Sequence, residues 1–292
     1  MKPAVLDYYK ATSVADAVQV LAEAEDGDGK VLAGGQSLVP MLNMRLARPS
    51  VLVDINGLNE LDYVRRDDDV LAIGALTRNR RVENSAEVRT WSPLLAEAMR
   101  FVGHATIRNR GTIGGSVAHG DPAAEVPAVL CALDADMVIT GPGGARTVAA
   151  RDFFHGFLTT AVEADELLTE VRIPRLPDKT GYAVEELARR HGDFAIAAVF
   201  AAVTLDRDGR CTDARLALAG TNPTPVRARD AEAVLVGSSV SGELLNRAAQ
   251  AVGAATASAS DIHAPAEYRR DMACVLTRRA LQRAVSAANG MV

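Results

Sequence analysis

Two glycine pairs, each set among small and hydroxyl residues, constrain this chain most. Lys30-Val31-Leu32-Ala33 reads as a short buried strand that runs straight into Gly34-Gly35-Gln36-Ser37-Leu38. A second such turn is Gly111-Thr112-Ile113-Gly114-Gly115-Ser116. Paired glycines let the backbone take positive φ and turn successive N–H groups toward one point. Such a concavity suits anionic oxygens, and a hydrogen bond to a charged group is worth about 1.5–3 kcal/mol. Ser37, Thr112 and Ser116 add hydroxyl donors. Two turns of this kind could clasp a pyrophosphate from both sides, although a plain tight strand–helix turn explains each one alone equally well. Neither matches GxGxxG, and GxxxxGK is absent, so the Rossmann and P-loop phosphate sites are excluded.

The surrounding pattern is α/β. Ser13 to Ala24 has helical spacing at Val14, Ala17, Val18 and Leu21, with Ser13 as N-cap. Val51 to Ile55 is a second strand. Val70 to Ala75 and Thr169 to Ile173 read as strands, Leu94 to Met99 as a helix, and Met137–Thr140 with Thr147-Val148 as a hairpin across Gly141-Pro142-Gly143-Gly144. The best boundary is Pro174 to Gly181. Beyond it, Ile196–Leu205 and Ala214–Ala219 are strand-like and joined across Asp206-Arg207-Asp208-Gly209, followed by helices at 228–236, 241–257 and 266–287. An antiparallel sheet covered by helices on one face is the natural reading of this last third.

Composition narrows the function. With 292 residues, 48% hydrophobic, the chain can build large cores. Its formal net charge of −5 and dispersed arginines exclude the basic footprint of a nucleic-acid binder. No stretch approaches the roughly 20 apolar residues of a membrane span, and the start of the chain lacks a signal-peptide core, so a cytoplasmic protein is expected. The three cysteines, Cys131, Cys211 and Cys274, are far apart, too few for an iron–sulfur cluster or a cysteine-based zinc site, and the five histidines are scattered; no metal site is expected.

The order of these motifs resembles the FAD-binding subunit of molybdenum hydroxylases, the family typified by the medium subunit of aerobic carbon monoxide dehydrogenase and with equivalents in xanthine dehydrogenase. The likeness rests on Ala33–Ser37 paired with Thr112–Ser116. It extends through Gly103-His104, Ile107-Arg108-Asn109-Arg110-Gly111 and His119-Gly120-Asp121-Pro122-Ala123-Ala124-Glu125. Further on come Arg189-Arg190-His191-Gly192-Asp193-Phe194-Ala195, then Asp261-Ile262-His263 with Tyr268-Arg269-Arg270 and Arg278-Arg279-Ala280-Leu281. The resemblance implies an α+β chain: a PCMH-type, vanillyl-alcohol-oxidase-like FAD-binding domain over 1–176, with subdomains of about 1–56 and 57–176. A C-terminal domain of the carbon monoxide dehydrogenase flavoprotein type, an antiparallel sheet with helices, covers 177–292.

It further implies that Ala33, Gly34, Gly35, Gln36, Ser37 and Leu38, with Thr112, Ile113, Gly114, Gly115 and Ser116, hold the FAD pyrophosphate through amides and hydroxyls. Asp121 and Glu125 would lie beside the dinucleotide as acceptors, although Asp121 also suits the N-cap of a helix starting at Pro122. Leu168, or its neighbour Leu167, would line the flavin edge, and Phe194 would sit near the isoalloxazine. No catalytic side chain is expected. Members often carry Lys where this chain has Glu185-Glu186-Leu187-Ala188, and a carboxylate there would lower the flavin potential.

By the same resemblance the chain takes electrons from [2Fe-2S] clusters of a small subunit, fed by the molybdenum cofactor of a large subunit, and passes them to an acceptor such as a quinone or its carrier. The assembly would be a dimer of heterotrimers in the cytoplasm, reaching the inner face of the membrane through its partners. Competing readings are a stand-alone FAD-dependent oxidoreductase of the same fold, the same subunit in an N-heteroaromatic or aldehyde hydroxylase, and a scaffold that has lost flavin. The last is disfavoured because turns demanding positive φ would only cost stability without a ligand.

Overall fold

The computed structural model describes residues 2–290. Its first sheet is parallel: β1 (Asp7–Lys10), β2 (Gly29–Leu32) and β3 (Val51–Asp54), in the order β1-β3-β2. Parallel neighbours need crossovers, and α1 (Val14–Glu23) and α2 (Leu38–Asn43) supply them. Ser13 caps α1 as expected, its hydroxyl accepting from the Asp16 amide at 3.1 Å. Ala17, Val18 and Leu21 of α1 pack with Val53 and Ile55 in a small core.

The second sheet is antiparallel: β4 (Val64–Asp67), β5 (Val70–Gly74), β6 (Asp136–Gly141), β7 (Gly144–Ala149) and, after the short hairpin of β8 (Phe154–Gly156) and β9 (Thr159–Thr160), β10 (Leu167–Pro174). The order is β4-β5-β10-β6-β7. The β6–β7 hairpin closes with Gly141 opposite Gly144. Between β5 and β6 run six short helices: α3 (Asn79–Asn84), α4 (Ala86–Trp91), α5 (Pro93–Ala98), α6 (Ala105–Arg110), α7 (Ile113–His119) and α8 (Glu125–Ala132). Of these the sequence pattern marks only α5. Every residue of α8 is buried, so it carries no amphipathic period to read.

The last third is an antiparallel sheet, β11 (Thr180–Ala188), β12 (Ala195–Leu205), β13 (Cys211–Ala219) and β14 (Val226–Arg227), followed by α9 (Arg229–Leu235), α10 (Gly242–Ala255) and α11 (Ala266–Ala288). One face packs on these helices through Val199, Val203, Leu216, Leu276 and Leu281. The expectation of helices on one face is incomplete, however. The opposite face, with Val184, Ala198 and Phe200, packs in one core with Val126 and Val129 of α8. β12 is therefore buried on both sides, which is why its residues read as an apolar run broken only by Thr204 rather than as an alternation. A continuous core thus crosses the stretch 174–181. Among the described residues no helix is long and apolar enough to cross a membrane.

Candidate functional site

The first glycine turn follows β2 directly. Gly35 has φ +72°, the left-handed conformation that glycine adopts without strain. Ser37 precedes α2 without using its hydroxyl as a cap. Among the described residues the amides of Gly34, Gly35, Gln36 and Ser37 donate to no other group. Turn carbonyls, by contrast, are engaged: Gly35 accepts from the Val39 amide at 3.1 Å, and Gly34 from the Gln36 side chain at 3.1 Å. Four consecutive free donors around a left-handed glycine form a backbone nest for anionic oxygen.

The second turn is built differently. Thr112 caps α7, its hydroxyl accepting from the Gly115 amide at 3.1 Å. The Ile113 amide donates to the Thr77 carbonyl at 3.0 Å, Gly114 to Ala75 at 2.9 Å, and Ser116 to Thr112 at 3.1 Å. The amides of Gly111 and of Ile113 to Ser116 are thus satisfied within the chain, so this turn does not offer the run of free donors that the first one does. This turn is a buttress. A Cβ on Gly34 would clash with the Arg110 carbonyl and come within 2.8 Å of Gly111 Cα. A Cβ on Gly114 would strike Ala75, and one on Gly115 would come within 2.7 Å of the Thr112 hydroxyl that caps α7. Gly114 permits close packing against the end of β5, and Gly34 permits the two turns to pack against each other. Only Gly115 and Ser116 of this turn remain half-buried rather than buried, and the Ser116 hydroxyl has no partner among the described residues.

Side chains not marked by the motifs bind the two turns together. Asn56, just after β3, donates to the Ala33 carbonyl at 2.8 Å and to Leu32 at 3.2 Å. Its Oδ1 accepts from Arg78 at 2.9 Å, and Arg78 also donates to the Arg110 carbonyl at 2.7 Å. The Asn79 amide holds the Gly111 carbonyl at 2.9 Å. The only hint in sequence is position, since Asn56 and Arg78-Asn79 follow strands directly or within one turn. Arg78 also lines a cleft of about 610 Å³ with Arg80, Arg81, Asn84, Ser85 and Asn109.

The remaining predicted residues are spread around this centre. Arg108 is 8% exposed and structural, held by Glu83 at 2.9 Å and the Val102 and Gly103 carbonyls at 3.0 Å. Gly192, at φ +87°, lies against the His104 ring, and the His104 and His191 rings stack at 6.2 Å. The 189–195 segment is thereby brought against the Gly103-His104 lead-in, with Phe194 exposed at the start of β12. Leu168 is 3% exposed in the large core, while Leu167 packs in the small core against which Ala33 also rests. Strand alternation sends these neighbours to opposite faces, so Leu167, not Leu168, shares a core with the nest.

Asp121 is not a helix N-cap. Its carboxylate accepts from the Ala123 amide at 2.8 Å in a local turn, and α8 begins later, at Glu125 with Ala124 as cap. The helix starts late because the Pro122 carbonyl is occupied by the Gly220 amide at 2.9 Å. Glu125 is 5% exposed, and burial, reinforced by Asp121 and opposed by its own amide and Arg108, pushes its carboxyl up to about 7. Burial and Glu125 push Glu186 up to about 8. Glu185 instead pairs with Arg283 at 2.7 Å. Of the two acids expected to supply a carboxylate at 185–186, Glu185 is ion-paired with Arg283 and Glu186 is held toward its neutral form.

Comparison with known proteins agrees with this architecture. Residues 4–176 match the family of FAD-binding domains in molybdopterin dehydrogenases, and residues 182–284 match the carbon monoxide dehydrogenase flavoprotein C-terminal domain. The 6-hydroxypseudooxynicotine dehydrogenase complex subunit alpha of Paenarthrobacter nicotinovorans is 41% identical over 98% of this chain and 96% of its own. The carbon monoxide dehydrogenase medium chain of Afipia carboxidovorans is also 41% identical, over 97% of this chain and 98% of its own. A solved structure of reconstituted CO dehydrogenase from Oligotropha carboxidovorans superposes with TM-score 0.95 at 41% identity, covering 98% of this chain and 99% of that one.

Proposed function

Because the chain belongs to the FAD-binding medium subunits of molybdenum hydroxylases, an oxidoreductase family of the carbon monoxide and xanthine dehydrogenase type, we propose that it is the flavin relay of such a complex. Electrons reach it from the iron–sulfur clusters of a small subunit and leave for an external acceptor, a quinone or its carrier. The large subunit holds the molybdenum cofactor and chooses the substrate, and the assembly is a dimer of heterotrimers of carbon monoxide dehydrogenase type. The chain comprises an FAD-binding domain over 1–176 and a C-terminal domain over 177–292.

The observation that carries this reading is the run of four unengaged amides from Gly34 to Ser37. FAD supplies the electron-accepting and electron-releasing chemistry when bound. The chain's residues fit it: the Gly34–Ser37 amides and the Ser37 hydroxyl would hold the pyrophosphate, with Ala33 and Leu38 framing the turn. Ser116 would add a hydroxyl from the buttress formed by Thr112 to Gly115. Arg78 flanks the nest with positive charge and, through the Arg110 carbonyl, fixes its shape. Asp121 and Glu125 would stand by the dinucleotide, Leu168 behind the flavin edge, and Phe194 beside the ring, where an aromatic limits access of water.

The test is to purify the chain alone, denature it and chromatograph the released cofactor. About one FAD per chain is expected, with Ser37→Ala and Arg78→Ala binding less. A protein that neither carries FAD nor takes it up overturns the reading.

A further inference from the structure

Between the helices that follow β5 and the C-terminal sheet lies a cleft of about 1030 Å³ that no residue of either glycine turn lines. One side comes from α3, α4, α5 and Arg100, the other from β11 and α11. Arg283 of α11 ties the two sides together. It donates to Glu97 of α5 at 2.8 Å, to Glu185 of β11 at 2.7 Å and to the Val184 carbonyl at 2.8 Å. The Val184 amide in turn donates to Glu97 at 3.4 Å. Arg279, Gln282, Arg283 and Ser286 all line the cleft and follow helical spacing, so α11 turns one stripe of hydrogen-bond donors toward it. Pro93, Ala96 and Tyr182 add an apolar stretch of wall.

The charges of this cleft do not cancel. Its lining acids are all taken: Glu97 and Glu185 by Arg283, and Glu83 by Arg80 and Arg108, neither of which lines the cleft. Arg89, Arg100 and Arg279 line it with no acid paired to them among the described residues, and Arg89 reaches only the Glu83 carbonyl, at 3.4 Å. Arg279 and Arg283 also stand one turn apart on α11, a like-charge spacing that weakens a helix. In a chain of formal net charge −5, three arginines without acids around one concavity make a local excess of positive charge that draws anions in.

We propose that this cleft is a second binding site, separate from the nest, for a small phosphate ester. Arg100 and Arg279 take the phosphate from opposite sides of the cleft, with Arg89 adding charge, and the uncharged body of the ligand lies along Pro93, Ala96 and Tyr182. A guanidinium presents a planar fork of N–H donors that matches two phosphate oxygens. A phosphate monoester carries about −1.5 to −2 near neutral pH, which calls for more than one arginine, whereas a carboxylate calls for one. Small-molecule sites occur preferentially at junctions between domains, and this cleft has a wall from each side of the 174–181 stretch. Nothing in this proposal depends on what the nest binds.

The experiment is calorimetric titration of adenosine monophosphate into the full chain, with saturating FAD in both solutions and adenosine as the control without phosphate. The expected result is one adenosine monophosphate per chain and no binding of adenosine. Arg100→Ala and Arg279→Ala should each bind about tenfold or more weakly. Both should melt like the parent, because these exposed side chains hold no other group among the described residues. Arg207→Ala, which removes an exposed arginine in the β12–β13 turn, and Ser37→Ala, in the nest, should bind like the parent. A parent that does not bind, adenosine binding as tightly as its monophosphate, or a loss in Arg207→Ala equal to that in Arg279→Ala overturns the proposal. So does a loss confined to Ser37→Ala, which would put the anion in the nest. A chain that takes up no FAD leaves the titration readable, since Ser37→Ala and Arg279→Ala separate the two sites.

Discussion

Gly34→Ala probes the contact on which the nest's shape depends. Gly34 is buried, and its added methyl would be driven into the Arg110 carbonyl and Gly111 Cα. Both obstacles are backbone, fixed by Arg78 and by the Asn79 amide, so they cannot swing aside. Overpacking of this kind costs about 1–3 kcal/mol. The relief open to the chain is to push the Gly34–Ser37 segment away from the second turn, which misaims its amides. Each hydrogen bond lost to a charged phosphate oxygen is worth about 1.5–3 kcal/mol, so one misaimed amide lowers FAD affinity about tenfold to a hundredfold. Gly143→Ala is the control, because that glycine, at the β6–β7 turn, has no atom within 4 Å of its Cβ position and needs no positive φ. The assay is FAD titration by flavin fluorescence together with thermal unfolding of each protein. If Gly34→Ala binds FAD and melts like Gly143→Ala, the account of the turn is wrong.

Other outcomes follow from the same contacts. Ser37→Ala should weaken FAD binding about tenfold with an unchanged melting temperature, because this hydroxyl caps nothing; a loss of stability with intact binding would contradict that. Arg269 is 7% exposed and donates to the Ile196 and Gly220 carbonyls and to Asp261 at 2.7–2.9 Å. Arg269→Ala should cost about 3 kcal/mol in denaturant unfolding by orphaning these acceptors, and Arg269→Lys should not restore it. The Ala264 amide above all, with Arg269 and the His263 amide, holds Asp261 down to about 2 against the opposing effect of burial. Its contribution is present above the ordinary carboxylate range and lost as pH falls toward 2, so Asp261→Asn should flatten the acid limb of a melting-temperature profile.

How much of this was legible in the sequence depended on how far away the partner atoms lie. The Gly34-Gly35 nest could be read locally, since a strand, a glycine pair and free donors are all neighbours in the chain. The second turn looks the same in sequence, yet its amides end on Thr77 and Ala75, carbonyls supplied by the segment after β5. No local rule reveals that. The Asp121 cap failed for the same reason, because a distant Gly220 amide claims the Pro122 carbonyl and delays the helix. Glu186 reads as an exposed charge until its face of β11, shared with Val184, is seen to turn toward the large core. Asn56 and Arg78 look like ordinary post-strand polar residues and acquire meaning only where β3, β5 and α6 converge. In the last third β12, β13 and the long helices were readable because turn chemistry and Ala-rich periodicity fix them locally, whereas β11 and β14 were not marked.

The relay itself is tested most directly by following flavin absorbance after rapid mixing with the hydroxylase substrate, in the native complex captured through an affinity tag on this chain and in the isolated FAD-loaded chain. The account predicts bleaching in the complex, none in the isolated chain, and recovery of absorbance when a quinone is added. Bleaching of the isolated chain by that substrate, or a complex whose flavin stays oxidised while substrate is consumed, would contradict it.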